Sequence, residues 1–205
     1  MSGKQDLRSP ISEADRPRGS TFLVRHAPTS SNFGKVFMGQ LDVPALPVEH
    51  PERFRVPGTG PRKIYASPLG RARTTAALLF PGETAFIDDR LAERSVGAWE
   101  GLDHATVKAR WPSAFADGKV DPLAEPPGGE TLNQLTRRVR DFLAMLVSRQ
   151  DERDVYVVTH NGWIRLALHL NGEVALEQLF AEPVPFLRPI SFELTQETLR
   201  RRASP

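Results

Sequence analysis

Two histidines in this chain stand where an apolar run breaks off. The first ends Ser20-Thr21-Phe22-Leu23-Val24-Arg25-His26; the second ends Val155-Tyr156-Val157-Val158-Thr159-His160 and is followed at once by Asn161-Gly162. Imidazole can act as acid, base, nucleophile or metal ligand near neutral pH. A lone histidine is by default a satisfied or surface residue. Two at matching strand ends, one preceded by arginine and the other followed by Asn-Gly, point to a shared site. Arg71, one turn beyond Ser67-Pro68-Leu69, and Glu93, just ahead of Gly97-Ala98-Trp99-Glu100-Gly101, add further chemistry. An arginine fork matches the oxygens of an oxyanion, and a carboxyl group can pass a proton to a leaving oxygen.

The same pattern predicts the elements that position these groups. Short β-branched and aromatic runs bounded by turn residues read as buried strands of a mostly parallel sheet. Ligands of such sheets bind beyond the carboxyl ends of the strands, so both histidines belong to one crevice. Lys63-Ile64-Tyr65-Ala66 reads as a second strand, Thr84 to Ile87 as a short one and Ile190 to Leu194 as the last. Ser67-Pro68 reads as the turn and first position of a helix running to about Phe80, with Leu69, Ala72, Ala76 and Leu79 facing inward. Its start is expected to offer free N–H donors and partial positive charge beside Arg71, while Arg73 stays solvated.

Thr131 with Gln134 forms a capping-box pair opening the clearest helix, whose inward stripe is Leu132, Leu135, Val139, Phe142, Leu143 and Leu146. A helix from Asn161 to about Leu170 turns Trp163, Ile164 and Leu168 inward. Between Ala27 and Gly60 five prolines forbid a continuous helix and predict a long loop. Residues at about 98–127, with Trp111 and Phe115, read as an insertion covering the pocket, its aromatic residues forming at least a satellite core.

The chain has 205 residues, enough for one domain with a sizeable core. The expected division is a flexible tail over 1–19, a single domain over 20–195 and a basic tail over 196–205. There are 27 basic and 25 acidic residues, net +2, with the basic ones scattered rather than massed. That balance predicts no nucleic-acid or membrane partner. Cysteine is absent, which removes disulfides, thiolate metal sites and cysteine nucleophiles. With no long apolar span and a polar N-terminal segment, a cytoplasmic location is expected.

Arg25-His26-Ala27-Pro28-Thr29 with Asn32, Ser67-Pro68-Leu69-Gly70-Arg71-Ala72, Leu91-Ala92-Glu93 with Gly97-Ala98-Trp99-Glu100-Gly101, Gly128-Gly129-Glu130-Thr131, and Thr159-His160-Asn161-Gly162 occur in that order. In this the chain resembles the histidine phosphatase (phosphoglycerate mutase-like) superfamily over about residues 20 to 195. The resemblance implies a three-layer α/β/α sandwich around a mostly parallel sheet. Ala27 stands where the family most often has glycine. The proline-rich loop departs further, since relatives usually carry a helix there, although Gly39-Gln40-Leu41-Asp42-Val43-Pro44 still resembles the substrate-facing loop.

A phosphate monoester asks a site to neutralise its oxygens, supply an in-line nucleophile and protonate the departing oxygen. The resemblance assigns attack on phosphorus to His26, which the residues alone leave open between His26 and His160. It implies phosphate binding by Arg25, Arg71, Asn32 and His160, and catalysis by His26, Glu93 and His160, with Glu93 the general acid and later the base that activates water. Gly39, Gln40, Glu130 and Asn161 are the expected substrate contacts.

No metal or other cofactor is expected, because the arginines and His160 supply the positive charge. The expected partners are a small phosphorylated metabolite and inorganic phosphate: first a sugar phosphate, nucleotide or ribazole-type phosphate, second a phosphohistidine protein. The expected reaction is metal-independent hydrolysis through a phosphohistidine. Alternatives are phosphoglycerate mutase-type transfer and a non-catalytic phospholigand-binding module on the same fold. A metal triad of His26, His160 and Glu93 is disfavoured, since Arg25 and Arg71 in the same pocket would repel a divalent cation.

Overall fold

The structure is a computed structural model that describes residues 19–54, 56–57, 60–148, 153–179, 183–194 and 199. Of the expected tails over 1–19 and 196–205, all but Gly19 and Leu199 lie outside the described residues. A five-stranded sheet runs β3-β2-β6-β1-β7, built from β1 (Thr21–Arg25), β2 (Arg62–Ala66), β3 (Phe86–Ile87), β6 (Asp154–Thr159) and β7 (Pro189–Phe192). A two-stranded hairpin, β4 (Phe115–Ala116) with β5 (Lys119–Val120), stands apart from it.

Four strands of the sheet are parallel and β7 pairs antiparallel with β1 at the edge. The last strand is thus shorter than the expected Ile190 to Leu194 and begins at Pro189, a residue an edge strand tolerates because its missing N–H costs no central ladder bond. The β3 pairing is only two residues long, so Thr84 and Ala85 lie outside it.

Side chains on the three central strands alternate between two cores. Leu23, Tyr65, Val155 and Val157 face α4 (Leu132–Ser148) and α5 (Asn161–Leu170) on one side of the sheet. Phe22, Val24, Ile64, Ala66, Tyr156 and Val158 face α2 (Gly70–Leu79) on the other. Both faces are therefore apolar, which is why these segments read as unbroken apolar runs. The result is the three-layer architecture the resemblance implied. The α4 stripe packs as its spacing requires, with Leu135, Val139, Phe142 and Leu143 fully buried; truncating Phe142 to alanine would cost roughly 3–5 kcal/mol. Its entry closes reciprocally, Thr131 N donating to Gln134 Oε1 (2.8 Å) and Gln134 N to Thr131 Oγ1 (3.1 Å).

Two local expectations need correction. The helix after Ser67-Pro68 begins at Gly70, not at the proline; Leu69 N turns back to Ser67 Oγ (3.3 Å) and Gly70 N donates to Asp42 Oδ1 (2.7 Å). The donors expected to be free at that helix start are thus occupied by the chain itself. The long loop also contains two helical turns, α1 (Ser30–Phe33), where Thr29 and Asn32 form a capping box immediately after Pro28, and a 3-10 turn at Pro51–Arg53.

Residues 97–127 fold beside the sheet around their own cluster. Trp99, Val107 of α3 (His104–Arg110) and Ala114 are buried, with Phe37, Trp111, Phe115 and Val120 packed against them. Gly97 turns the chain at φ +47, where a Cβ would lie 2.3 Å from the Pro127 carbonyl oxygen, so only glycine fits.

Candidate active site

The sheet register itself brings the two histidines together. Arg25 pairs with Thr159, so the next residue on each strand is His26 and His160, and His26 N still donates to Thr159 O (3.0 Å). Their rings lie 5.1 Å apart between centroids at 55°. One strand over, Ser67 follows Ala66 at the same level, with its N–H on Val158 O (3.0 Å). The site lies at the carboxyl edge of β1, β6 and β2, where an α/β sheet opens its crevice.

His26 is 2% exposed, and its Nδ1 lies 2.6 Å from the carbonyl of Ala27. A carbonyl can only accept, so Nδ1 carries the proton and Nε2 keeps its lone pair. Burial pushes the His26 pKa down to about 3; the Ala27 contact opposes this, while Arg71 and Arg25 reinforce it. His160 is fully buried, with Nε2 2.7 Å from Ser67 Oγ. Burial, then the neighbouring His26, Arg71, Arg138 and Arg25, hold it well below the ordinary range. Both rings are neutral at pH 7, so the cationic charge of the site resides on the arginines.

Arg25 Nη1 donates to Val184 O (2.7 Å), and the guanidinium lies 3.8 Å over the Phe186 ring. Burial lowers its pKa to about 10 while Glu93 pulls it upward, so it stays a cation at pH 7. Arg71, fully buried, donates to Leu41 O (2.6 Å) and Gly39 O (2.9 Å), and burial again lowers its pKa against the pull of Glu93, Asp42 and Glu100. Each arginine keeps a buried Nε–H without an acceptor among the described residues. A buried donor left unpaired costs free energy, which an entering oxyanion would recover.

The carboxylate of Glu93 spans two backbone donors, Arg94 N to Oε1 (2.9 Å) and Gly162 N to Oε2 (3.0 Å). The second belongs to the first turn of α5, whose partial positive charge favours a carboxylate. A cleft of about 250 Å³ opens between these groups, lined by Arg25, His26, Arg71 and Glu93 on the inner side together with Gly39, Asn161 and Gly162.

Other expected contacts lie elsewhere. Asn32 is used locally, its Oδ1 accepting from Thr29 N (2.8 Å) and Thr29 Oγ1 (2.9 Å), and it does not line the cleft. Gln40 is exposed and braces the loop, its Nε2 donating to Glu93 O (3.0 Å). Glu130 pairs with both arms of Arg138 at 2.7 and 2.8 Å rather than facing the cleft, because a half-buried carboxylate this close to a guanidinium is held by it. Asn161 does line the cleft but spends its Oδ1 on Val184 N (2.7 Å).

The sequence reading passed over four residues that hold this arrangement. Ser67 fixes His160; Phe186 backs Arg25; Asp42 occupies the start of α2; Arg138 reaches the carbonyls of Arg90 (2.9 Å), Ala92 (2.5 Å) and Glu93 (2.9 Å). Ser67 and Asp42 lay within quoted motifs, though neither was given this role. Phe186 and Arg138 owe their places to tertiary contacts.

A model of the histidine phosphatase superfamily (branch 1) matches residues 21–198. The chain belongs to that superfamily. It is 31% identical over 156 residues to glucosyl-3-phosphoglycerate phosphatase of Mycobacterium tuberculosis, covering 69% of this chain and 70% of that protein. A metal-independent phosphoserine phosphatase of Arabidopsis thaliana is 32% identical over 155 residues, 70% of this chain and 64% of its own. Among solved structures, a mycobacterial glucosyl-3-phosphoglycerate phosphatase in complex with VO3 superposes with a TM-score of 0.65 at 25% identity, covering 85% of this chain and 97% of that one. A phosphoglycerate mutase from Thermus thermophilus gives 0.62 at 28% identity, covering 84% and 91%. No helix among the described residues is long and apolar enough to cross a membrane.

Proposed function

We propose that the chain is a metal-independent phosphomonoesterase that hydrolyses a small phosphorylated metabolite through a phosphohistidine at His26. The observation that carries this is the state of His26: neutral, protonated on Nδ1 against the Ala27 carbonyl, and flanked by Arg25 and Arg71. A nucleophile needs a free lone pair, and Nε2 has one without any prior deprotonation.

Arg25 and Arg71 turn their donors to the phosphoryl oxygens, and the arriving dianion draws His160 towards its protonated, donating form. His26 Nε2 attacks phosphorus as the bond to the ester oxygen breaks, and Glu93, having taken up a proton from solvent as the dianion enters beside it, delivers the proton that oxygen needs. The carboxylate so formed then takes a proton from water, which attacks the phosphohistidine, releases inorganic phosphate and restores Nε2. Two arginines over one small cleft leave no electrostatic place for a divalent cation. The names of the two sequence relatives agree with phosphomonoester hydrolysis, while one similar structure carries the name of the mutase alternative. The domain is read as spanning residues 20–195 and the protein as cytoplasmic, without a nucleic-acid or membrane partner.

The covalent step gives the test. Phosphohistidine survives alkali and is lost in acid, so a rapid alkaline quench with labelled substrate is expected to leave label on the peptide carrying His26, with or without EDTA. Label on the His160 peptide would exchange the two roles, and metal-dependent turnover without trapped label would overturn the mechanism. Retention of the label on a second hydroxyl of the substrate, instead of its release as phosphate, would make the enzyme a mutase.

A further inference from the structure

Beyond the phosphoryl cradle, the wall of the cleft is apolar and aromatic. Val36, Phe37, Met38, Val96, Trp99 and Val120 line it, contributed by three stretches far apart in the chain. Phe37 is face-stacked on His104 at 4.8 Å and 12°, His104 meets Phe115 edge-on at 5.3 Å, and Phe37 leans on Trp99 at 5.6 Å.

The charge on this wall is already committed. Arg94 lines the cleft, but its guanidinium donates to the carbonyls of Glu130 (2.8 Å) and Ala124 (2.6 Å), reaching also towards Pro122 O at 3.5 Å. His104 has its pKa lowered by burial and by Lys35 and Lys108, so it presents a neutral ring; neither lysine lines the cleft. A carboxylate carried on the substrate would lose water here without gaining a cation, a poor exchange. Trp99, 2% exposed, keeps an indole N–H that finds no acceptor among the described residues.

Resting on the phosphatase reading above, we infer that the alcohol part of the substrate is an uncharged, flat ring system of the nucleoside or benzylic kind, packed against Phe37 where Trp99 backs it, and that small carboxylated esters are discriminated against. Ring-on-ring packing and burial of the ring supply the preference.

The test separates recognition from chemistry by using His26→Ala for binding and the natural chain for turnover. Calorimetry of His26→Ala with adenosine 5′-monophosphate and benzyl phosphate against phosphoserine and 3-phosphoglycerate is expected to show the ring esters binding at least tenfold more tightly. Equal or tighter binding of the carboxylated pair, or no binding of any ester, would overturn the inference. Phe37→Ala, added to that background, is expected to bring the ratio close to one. Because Phe37 also packs on Trp99, a second variant on the half-exposed hairpin, Val120→Lys, supplies the missing cation and is expected to tighten phosphoserine binding several-fold. Unchanged ratios in both variants would place the ring elsewhere and reject this wall. Ring preference with no phosphate release by the natural chain would support the wall and reject the phosphatase reading; release with carboxylated esters preferred would do the reverse.

Discussion

The carboxylate of Glu93 and the backbone N–H of Gly162 meet at 3.0 Å, and this one contact ties the loop after β3 to the helix that follows His160. It also sets what a side chain at Gly162 would displace. A Cβ there would lie 2.7 Å from Glu93 Oε1, so Gly162→Ala must push the carboxylate aside. On the proposed role of Glu93, turnover of alkyl phosphates is expected to fall about 10- to 100-fold, with vanadate inhibition retained. Steady-state kinetics with vanadate titration checks both parts.

Glu93→Gln removes the proton but keeps the shape. Hydrolysis of alkyl phosphates is expected to slow about 100-fold or more, and that of p-nitrophenyl phosphate far less, because nitrophenolate departs with little need of protonation. An equal loss on both substrates would take Glu93 out of the acid role.

Arg138 is a structural hub beneath that loop, so its loss should be felt as stability as well as rate. Arg138→Met leaves the Glu130 carboxylate without its bidentate partner and frees the carbonyls of residues 90, 92 and 93. A cost of about 3 kcal/mol, or on the order of 10 °C in Tm, is expected. The double variant Glu130→Gln/Arg138→Met should recover part of it, which calorimetry can read directly.

Acid should destabilise the protein through its buried histidines. His26 titrates at about 3 when folded and near 6.5 when unfolded, so between those values the unfolded chain binds more protons. Stability contributed by neutral His26 is therefore present above about pH 6.5 and lost as pH falls towards 3. Denaturation series at several pH values should show this fall, shallower in His26→Gln and opposed by vanadate, which binds only the folded site.

Phe186 belongs to no sequence motif and to none of the named strands, yet it lies under the Arg25 guanidinium. Phe186→Leu keeps an apolar side chain and removes the ring face. Vanadate inhibition is expected to weaken up to about tenfold, the equivalent of about 1.4 kcal/mol. An unchanged inhibition constant would show that Val184 O alone sets the position of Arg25.

Much of this was legible in residue order because the chemistry sits where local patterns end. Val24-Arg25-His26 and Val158-Thr159-His160 name both strand and site, and Thr131 with Gln134 names a helix start. Glu130 misled because Gly128-Gly129-Glu130-Thr131 says nothing of Arg138, two turns further on and folded back against it. The helix start at Ser67-Pro68 misled for a related reason. Its donors looked free only while Asp42, 28 residues upstream, was out of view.

The cluster around Trp99, Val107 and Ala114 shares no residue with the two cores that clasp the sheet. It is therefore expected to open locally at a lower free energy than the sheet. The cradle is held by strand ladders; the aromatic wall is held by this outlying cluster. Raising denaturant should blur discrimination between esters before it stops phosphate release, so fidelity and rate have separate thresholds in one small protein.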